Sequence, residues 1–480
     1  MKSTRIKRMT LRSSTRLVAV GLVATLLAAC GGSDKTADPT STPPSTPAPS
    51  SSAEVTPGPD TSAGTSEAQT SADPGSSSAA QSSSPAEAEQ GVDDGTALTL
   101  WTRAPLEGQA NLLVDAYNAS HKNQVALTIV PNDDYVAKVG AAAGSNGLPD
   151  LFAADIVYVP NWTSQGLFAD ITDRIAGLPF ADQIAKGHVD AGTFDNKKFV
   201  LPFVLDLSVL FYNKALYKEA GLDPEKAPTT MAEFADHARK VDALNKDGVS
   251  GTFFGGNCGG CLVFTWFPSL WASGDQVMNP EGTEALLAGE NAKKLYSIYH
   301  DLYADGITGE GTKDETGATW VAPFQEGKVG VMPMPATLLK ATTDAGIDVG
   351  VAPIPGIDGG GSTFVGGDGI GISRDSKVSD QAWNFLAWTM SEDAQVEVLA
   401  KNNNVVARAD LANNKYAAAD PRLVAINEVA GQGVTPMSKN FQAGFNASDS
   451  PWLELVRNAV FGDASSIDAD NDGITDVLSE

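Results

Sequence analysis

The sequence predicts an α/β fold made of two units, with the chain crossing between them. Three observations carry this reading. Between residues 98 and 159, stretches with strand and helix patterns alternate, as in a sheet whose neighbouring strands run parallel. From Phe199 to Lys214 the chain reads FVLPFVLDLSVLFYNK, apolar almost throughout, which fits a strand buried on both faces. The chain also has 480 residues, too many for one ordinary core.

Taken in order, LTLW at Leu98–Trp101 alternates like an opening strand. Leu112, Leu113 and Ala116 give residues 109–119 a helical spacing. A second strand follows at 125–130 and a second helix at 135–143. LFAADIVYV, after Pro149-Asp150, reads as a third strand, and 165–178 as a helix and loop on the sheet edge. Within the apolar run, Pro202 argues against one regular central strand and for a chain passing from one unit to the next. Asp206 stands in the middle of that run, and an acid there is costly unless something polar meets it.

Beyond it, a short helix follows Asn213-Lys214. Thr230 and Glu233 have the spacing of a capping box that opens a helix to about Leu244. A glycine-rich segment, GTFFGGNCGGCLVFTWFPSLWASG, comes next. Further helices are expected over 284–305, 320–326, 378–401, 420–428 and 452–461. Strands are expected over 328–332, 348–353 and 362–373, the last broken by glycines. No internal repeat is visible.

Formal charge is -26, so no basic surface is available to displace counterions from a nucleic acid. Three cysteines in a chain of this length rule out a disulfide scaffold. Lys2, Arg5, Lys7, Arg8, Arg12 and Arg16 precede an apolar stretch, LVAVGLVATLLAA, too short for a bilayer, which needs ~20 residues. Residues 1–29 therefore read as a secretory signal. Residues 30–95 are rich in Ser, Thr, Pro, Ala and Gly and lack aromatic residues, the composition of a disordered tether reaching roughly 40–50 Å. The folded domain is expected at 96–480.

The sequence around Cys30, Leu27-Ala28-Ala29-Cys30, resembles the lipobox of bacterial lipoproteins. That implies cleavage before Cys30, a lipid on its sulfur and attachment to the membrane's outer face. Along the rest of the chain LTLW, PDLFAAD, LPFVLDLSVLFYNKALYKEAGL, the Pro-Thr-Thr-x-x-Glu helix start, FQEGKVGVMP, FVGGDGIGIS and AWNFLAWTMSEDAQ occur in order. Together they resemble the extracellular solute-binding proteins of ABC importers, in the carbohydrate-binding family that includes maltose-binding protein. The resemblance covers residues 96–461. It implies a two-lobed periplasmic-binding-protein-like fold with a hinge and an inter-lobe cleft. Lobe 1 would span about 96–204 and 364–410, and lobe 2 about 205–363 and 411–480. It also implies a monomer that is not an enzyme, needs no cofactor, captures a carbohydrate and delivers it to an ABC permease.

A sugar stacks its C–H faces on aromatic rings, and its hydroxyls need donors and acceptors. Asp206, six residues before Tyr212-Asn213-Lys214 as in the family pattern, is the first candidate; its alternative is a buried acid capping backbone amides. Asp155 is placed at the cleft wall by the resemblance, or else caps a helix. Gly367 and Asp368 lie in a glycine-rich turn where backbone can approach a ligand, although turn chemistry also explains the acid. Arg103 can donate to hydroxyls. Phe264 and Trp266 align with an aromatic segment facing the cleft, with core packing as the alternative, whereas Trp271 is left to the core. Trp452 aligns near an aromatic in the family's final helices. Met334-Pro335 stands where the family often has Gly-x-Trp, which removes one stacking platform.

Cys258 and Cys261, in CGGC, read as a structural disulfide in a tight loop of an exported protein, against a redox or metal motif. Asp468, Asp470 and Asp472 match the first half of an EF-hand loop, but its twelfth position is Ser479, so no metal site is assigned. Rival readings are a polyamine or glycerophosphodiester receptor on the same scaffold, and a secreted glycosidase using paired carboxylates. No nucleophile-and-base motif supports the last.

Overall fold

The computed structural model describes residues 91–431 and 433–480. The signal segment, Cys30 and the tether up to Gln90 lie outside the described residues. Near the first described positions, Val92 donates to the Asp380 carbonyl at 3.1 Å, and Asp93 accepts from the Asn123 amide at 2.7 Å.

Seven strands form one sheet: β1 Ala97–Arg103, β2 Gln124–Val130, β3 Leu151–Asp155, β4 Leu201–Asn213, β5 Val331–Pro335, β6 Val349–Ala352 and β7 Val365–Ile372. β1 lies between β2 and β3 and is parallel to both. The helices between them, α1 Glu107–Ser120 and α2 Asn132–Gly144, complete the alternation seen in the sequence. β7 then inserts antiparallel between β3 and β4.

β4 is a single strand of 13 residues, not the interrupted one that Pro202 suggested. Pro202 is tolerated because the ladder is irregular there. Asp368 pairs with Val204 and Gly369 with Pro202, so Phe203 is the extra residue of a bulge. The crossing itself is present. β4 pairs with β7 as far as Leu207, and from Ser208 onward with β5 and β6. Twelve of its side chains are buried and Asp206 alone is partly open, one residue before the partners change.

Two buried clusters cover the sheet's faces. Along β4, Leu201, Phe203, Val204, Leu205, Leu207, Val209 and Phe211 join one, while Leu210 and Tyr212 join the other; strand alternation holds beyond the bulge at Phe203. Fully burying such a side chain is worth ~1.5–3 kcal/mol, so β4 anchors both layers.

The later helices are α3 Met231–Asp242, α4 Gly259–Ala272, α5 Glu290–Ala304, α6 Ser379–Thr389, α7 Pro421–Ala430, α8 Pro451–Phe461 and α9 Ile467–Ser479. Thr230 caps α3 by accepting from the Glu233 amide at 3.1 Å. The expected helix 378–401 is broken: α6 stops at Thr389, and a wider helix resumes at Asp393. Gln395 holds the break, donating to the Thr389 carbonyl and accepting from the Ala407 amide, each at 2.6 Å. The acidic tail is α9, not a loop. Asp468 pairs with Lys293 at 2.7 Å and Asp470 accepts from Ser466 at 2.7 Å, so these acids serve helix packing.

Candidate solute-binding site

Four candidate residues converge where β1 and β3 end and β7 meets β4. β7 opposes Asp368 to Asp155 on one side, and Gly366 to Asp206 on the other. Arg103, the last residue of β1, reaches across β3. Its Nε donates to Asp368 Oδ1 at 2.8 Å, and one terminal nitrogen lies 2.7 Å from the same oxygen and 3.2 Å from Asp155 Oδ2. Its other terminal nitrogen lies 3.4 Å from Asn132 Oδ1. Asp368 has no exposed side-chain surface, and its Oδ2 has no hydrogen-bond partner. Such clusters beyond the carboxyl ends of parallel strands are where open α/β sheets bind ligands.

Asp206 is held from the other side of the crossing. Thr337, just past β5, donates its hydroxyl to Asp206 Oδ1 at 3.1 Å. Burial pushes the Asp206 carboxyl up to about 7, although Thr337 and the charge of Arg103 pull it down and Asp155 adds to the rise. Burial also raises the Asp368 carboxyl, opposed by Arg103. Tyr158 interacts with Asp155, Arg103 and Asp368, and its phenol meets the side chain of Asn446; burial lifts it to about 12.

Phe264, on α4, is the aromatic at this place. It packs on Phe364 with centroids 5.4 Å apart, and a side chain added at Gly366, the partner of Asp206, would meet its ring at 3.2 Å. Trp266 and Trp452 are corrected to the core. Trp266 is 1% exposed and stacks on Tyr299 at 4.2 Å; Trp452 is 0% exposed and donates its indole N–H to the Gly259 carbonyl at 3.2 Å. Two helical steps rotate a side chain by about 200°, so Phe264 and Trp266 face nearly opposite ways. Gly367 is also explained by packing: φ is +98°, and a Cβ there would sit 2.0 Å from the Val204 carbonyl.

Cys258 and Cys261 form a disulfide with Cα atoms 5.2 Å apart. It closes a tight loop that forms the start of α4, with Cys258 Sγ accepting from the Cys261 amide at 3.1 Å. Tyr158, Thr337 and Asn446 were missed. β3 ends at Asp155, so Tyr158 leaves the expected strand for a turn, and Thr337 lies two residues past the Met334-Pro335 departure. Asn446 carries no sequence signal.

Fold and cluster together define a two-lobed α/β binding protein. The family model described as bacterial extracellular solute-binding protein matches residues 104–396, and the chain belongs to that family. Binding proteins of Brucella abortus and Brucella suis are 25% identical over 274 residues, 55% of this chain and 64% of theirs, so the match spans less than two thirds of those relatives' length. The diacetylchitobiose-binding protein of Streptomyces coelicolor is 25% identical over 65% of this chain and 73% of its own. Among solved structures, a solute-binding protein of Thermotoga lettingae bound with α-D-tagatose superposes with a TM-score of 0.70, at 20% identity over 80% of this chain and 100% of the other. The acarbose-binding GacH receptor of Streptomyces glaucescens gives 0.68, at 21% identity over 80% and 99%. These superpositions establish the fold.

Proposed function

We propose that this chain is a lipid-anchored receptor that captures an oligosaccharide at the seam crossed by β4 and delivers it to an ABC permease. The observation that carries the reading is the buried polar cluster at the crossing. Arg103, Asp155 and Asp368 approach from the strand ends, Asp206 and Thr337 from the crossing, and Phe264 supplies an apolar face. Sugars call for this pairing of carboxylates, a guanidinium and an aromatic ring. The ligands named for the tagatose, acarbose and diacetylchitobiose binders support the carbohydrate class.

Mechanistically, residues of β1, β3 and β7 would grip one side of the ligand, and Phe264, Thr337 and Asn446 the other. Only a closed arrangement offers both sets, so the ligand shifts the open–closed balance toward it. The lobe limits are proposed near Leu205 and Thr363, a reading supported by the change of β4's partners between Leu207 and Ser208. Residues 1–29 and 30–95 would be signal and tether, with Cys30 as the lipid anchor that keeps the receptor near its permease.

A melting-shift screen over mono- and oligosaccharides tests this. A ligand at a hundred times its Kd stabilises the fold by ~2.7 kcal/mol. The expected result is a saccharide whose shift is lost in Asp206→Ala; no shift from any saccharide, or turnover of one, overturns the proposal.

A further inference from the structure

The polar atoms left over in the cluster share one chemistry. Arg103 spends all three of its guanidinium nitrogens inside the cluster, on Asp368, Asp155 and Asn132. Thr337 spends its hydroxyl on Asp206. The Tyr158 phenol meets Asn446. Among the cluster's fully buried side-chain atoms, those without a partner are Asp368 Oδ2 and, beside Tyr158, Asn446 Oδ1. Both are acceptors. Charge is lopsided in the same sense, with Asp155, Asp206 and Asp368 set against one guanidinium.

A neutral hydroxyl answers this imperfectly. It donates one hydrogen bond and brings two lone pairs, which neither orphaned acceptor can answer. An ammonium donates three and accepts none, and it supplies the missing positive charge. From this geometry we infer that the seam takes an amine-bearing saccharide, its protonated amine seated against Asp368, Asp155 and Asp206. The inference rests on the proposed reading of the seam as a saccharide site and names the substrate class within it. Burial, which raises the Asp206 and Asp368 carboxyls, fits two acids awaiting a cation.

Calorimetric titration of the full chain with two matched pairs tests this: glucosamine against glucose, and the β-1,4-linked glucosamine dimer against cellobiose. The monomer pair differs by one ammonium in place of a hydroxyl, and the dimer pair by one on each ring. The amine member is expected to bind at least about tenfold more tightly at low salt, the scale of one charge-assisted hydrogen bond. That preference is expected to shrink in Asp206→Asn. If this variant folds poorly, the salt dependence of the wild type serves instead, since added salt is expected to erode the preference. Equal binding within both pairs, or tighter binding of the neutral members, overturns the amine inference and leaves the saccharide site standing. No binding by any of the four, nor by the wider panel, overturns both.

Discussion

Arg103 and Asp368 lie 265 positions apart in the chain, yet the guanidinium Nε donates to the carboxylate at 2.8 Å across an intervening strand. With side-chain exposures of 12% and 0%, the pair is shielded from water. Removing one partner of a buried pair strands the other charge, at a cost of ~3–5 kcal/mol. Arg103→Met is expected to lower the unfolding free energy by that amount in a denaturant titration. Adding Asp368→Asn should recover part of it, and purely additive losses would show that the two do not act as a pair.

The two aromatic residues two positions apart on α4 are expected to separate stability from binding. Trp266→Ala removes a ring from the core stack with Tyr299 and should cost ~3–5 kcal/mol. Phe264→Ala lies at the partly open end and should cost less in stability while weakening saccharide affinity. Melting and titration of both variants check this; weaker binding in Trp266→Ala alone would restore the sequence-based assignment.

Much of this arrangement is legible in the sequence, for identifiable reasons. Phe199–Lys214 announces a doubly buried strand because its partners leave no polar face, and the one acid within it is the one position left partly open. The Thr230–Glu233 spacing fixes a helix start because it answers a local need of the backbone. What stays hidden depends on tertiary contacts. α4 is apolar on nearly all sides and contains Gly and Pro, so periodicity could not tell Phe264 from Trp266. Thr337 and Asn446 reach the cluster only through the fold. Pro202 misled because its missing hydrogen bond falls at a bulge formed with another strand.

Asp206 and His188 give stability opposed pH dependences. Burial lifts the Asp206 carboxyl from 3.8 to about 7, so the folded form holds this proton more tightly than the unfolded chain, and stability is lost as pH rises from 3.8 to about 7. His188, whose Nε2 donates to the Gly366 carbonyl at 3.0 Å, is kept neutral: burial lowers it from 6.5 to about 4, and stability is lost as pH falls through that window. Asp206→Asn removes its own contribution and leaves that of Asp368, which has the same sense, and that of His188. The variant is expected to gain on the wild type between those limits, by on the order of 2–4 kcal/mol at the upper end. Parallel stability curves would contradict this.

The Cys258–Cys261 bridge closes a very short loop, so its constraint on the unfolded chain is small. Replacing both cysteines with serine is expected to cost ~2 kcal/mol and to loosen the first turn of α4. Chemical denaturation checks the cost, and amide exchange of Leu262 and Val263 checks the turn. Unchanged exchange would show that the helix start holds without the bridge.

The most direct test is a crystal structure of the full chain with the saccharide selected by titration. The account predicts ligand density at the seam, with a donor within hydrogen-bond reach of Asp368 Oδ2 and the Asp206 carboxylate, and the Phe264 ring against the sugar. A saccharide bound elsewhere, with Arg103, Asp155, Asp206 and Asp368 untouched, would contradict it.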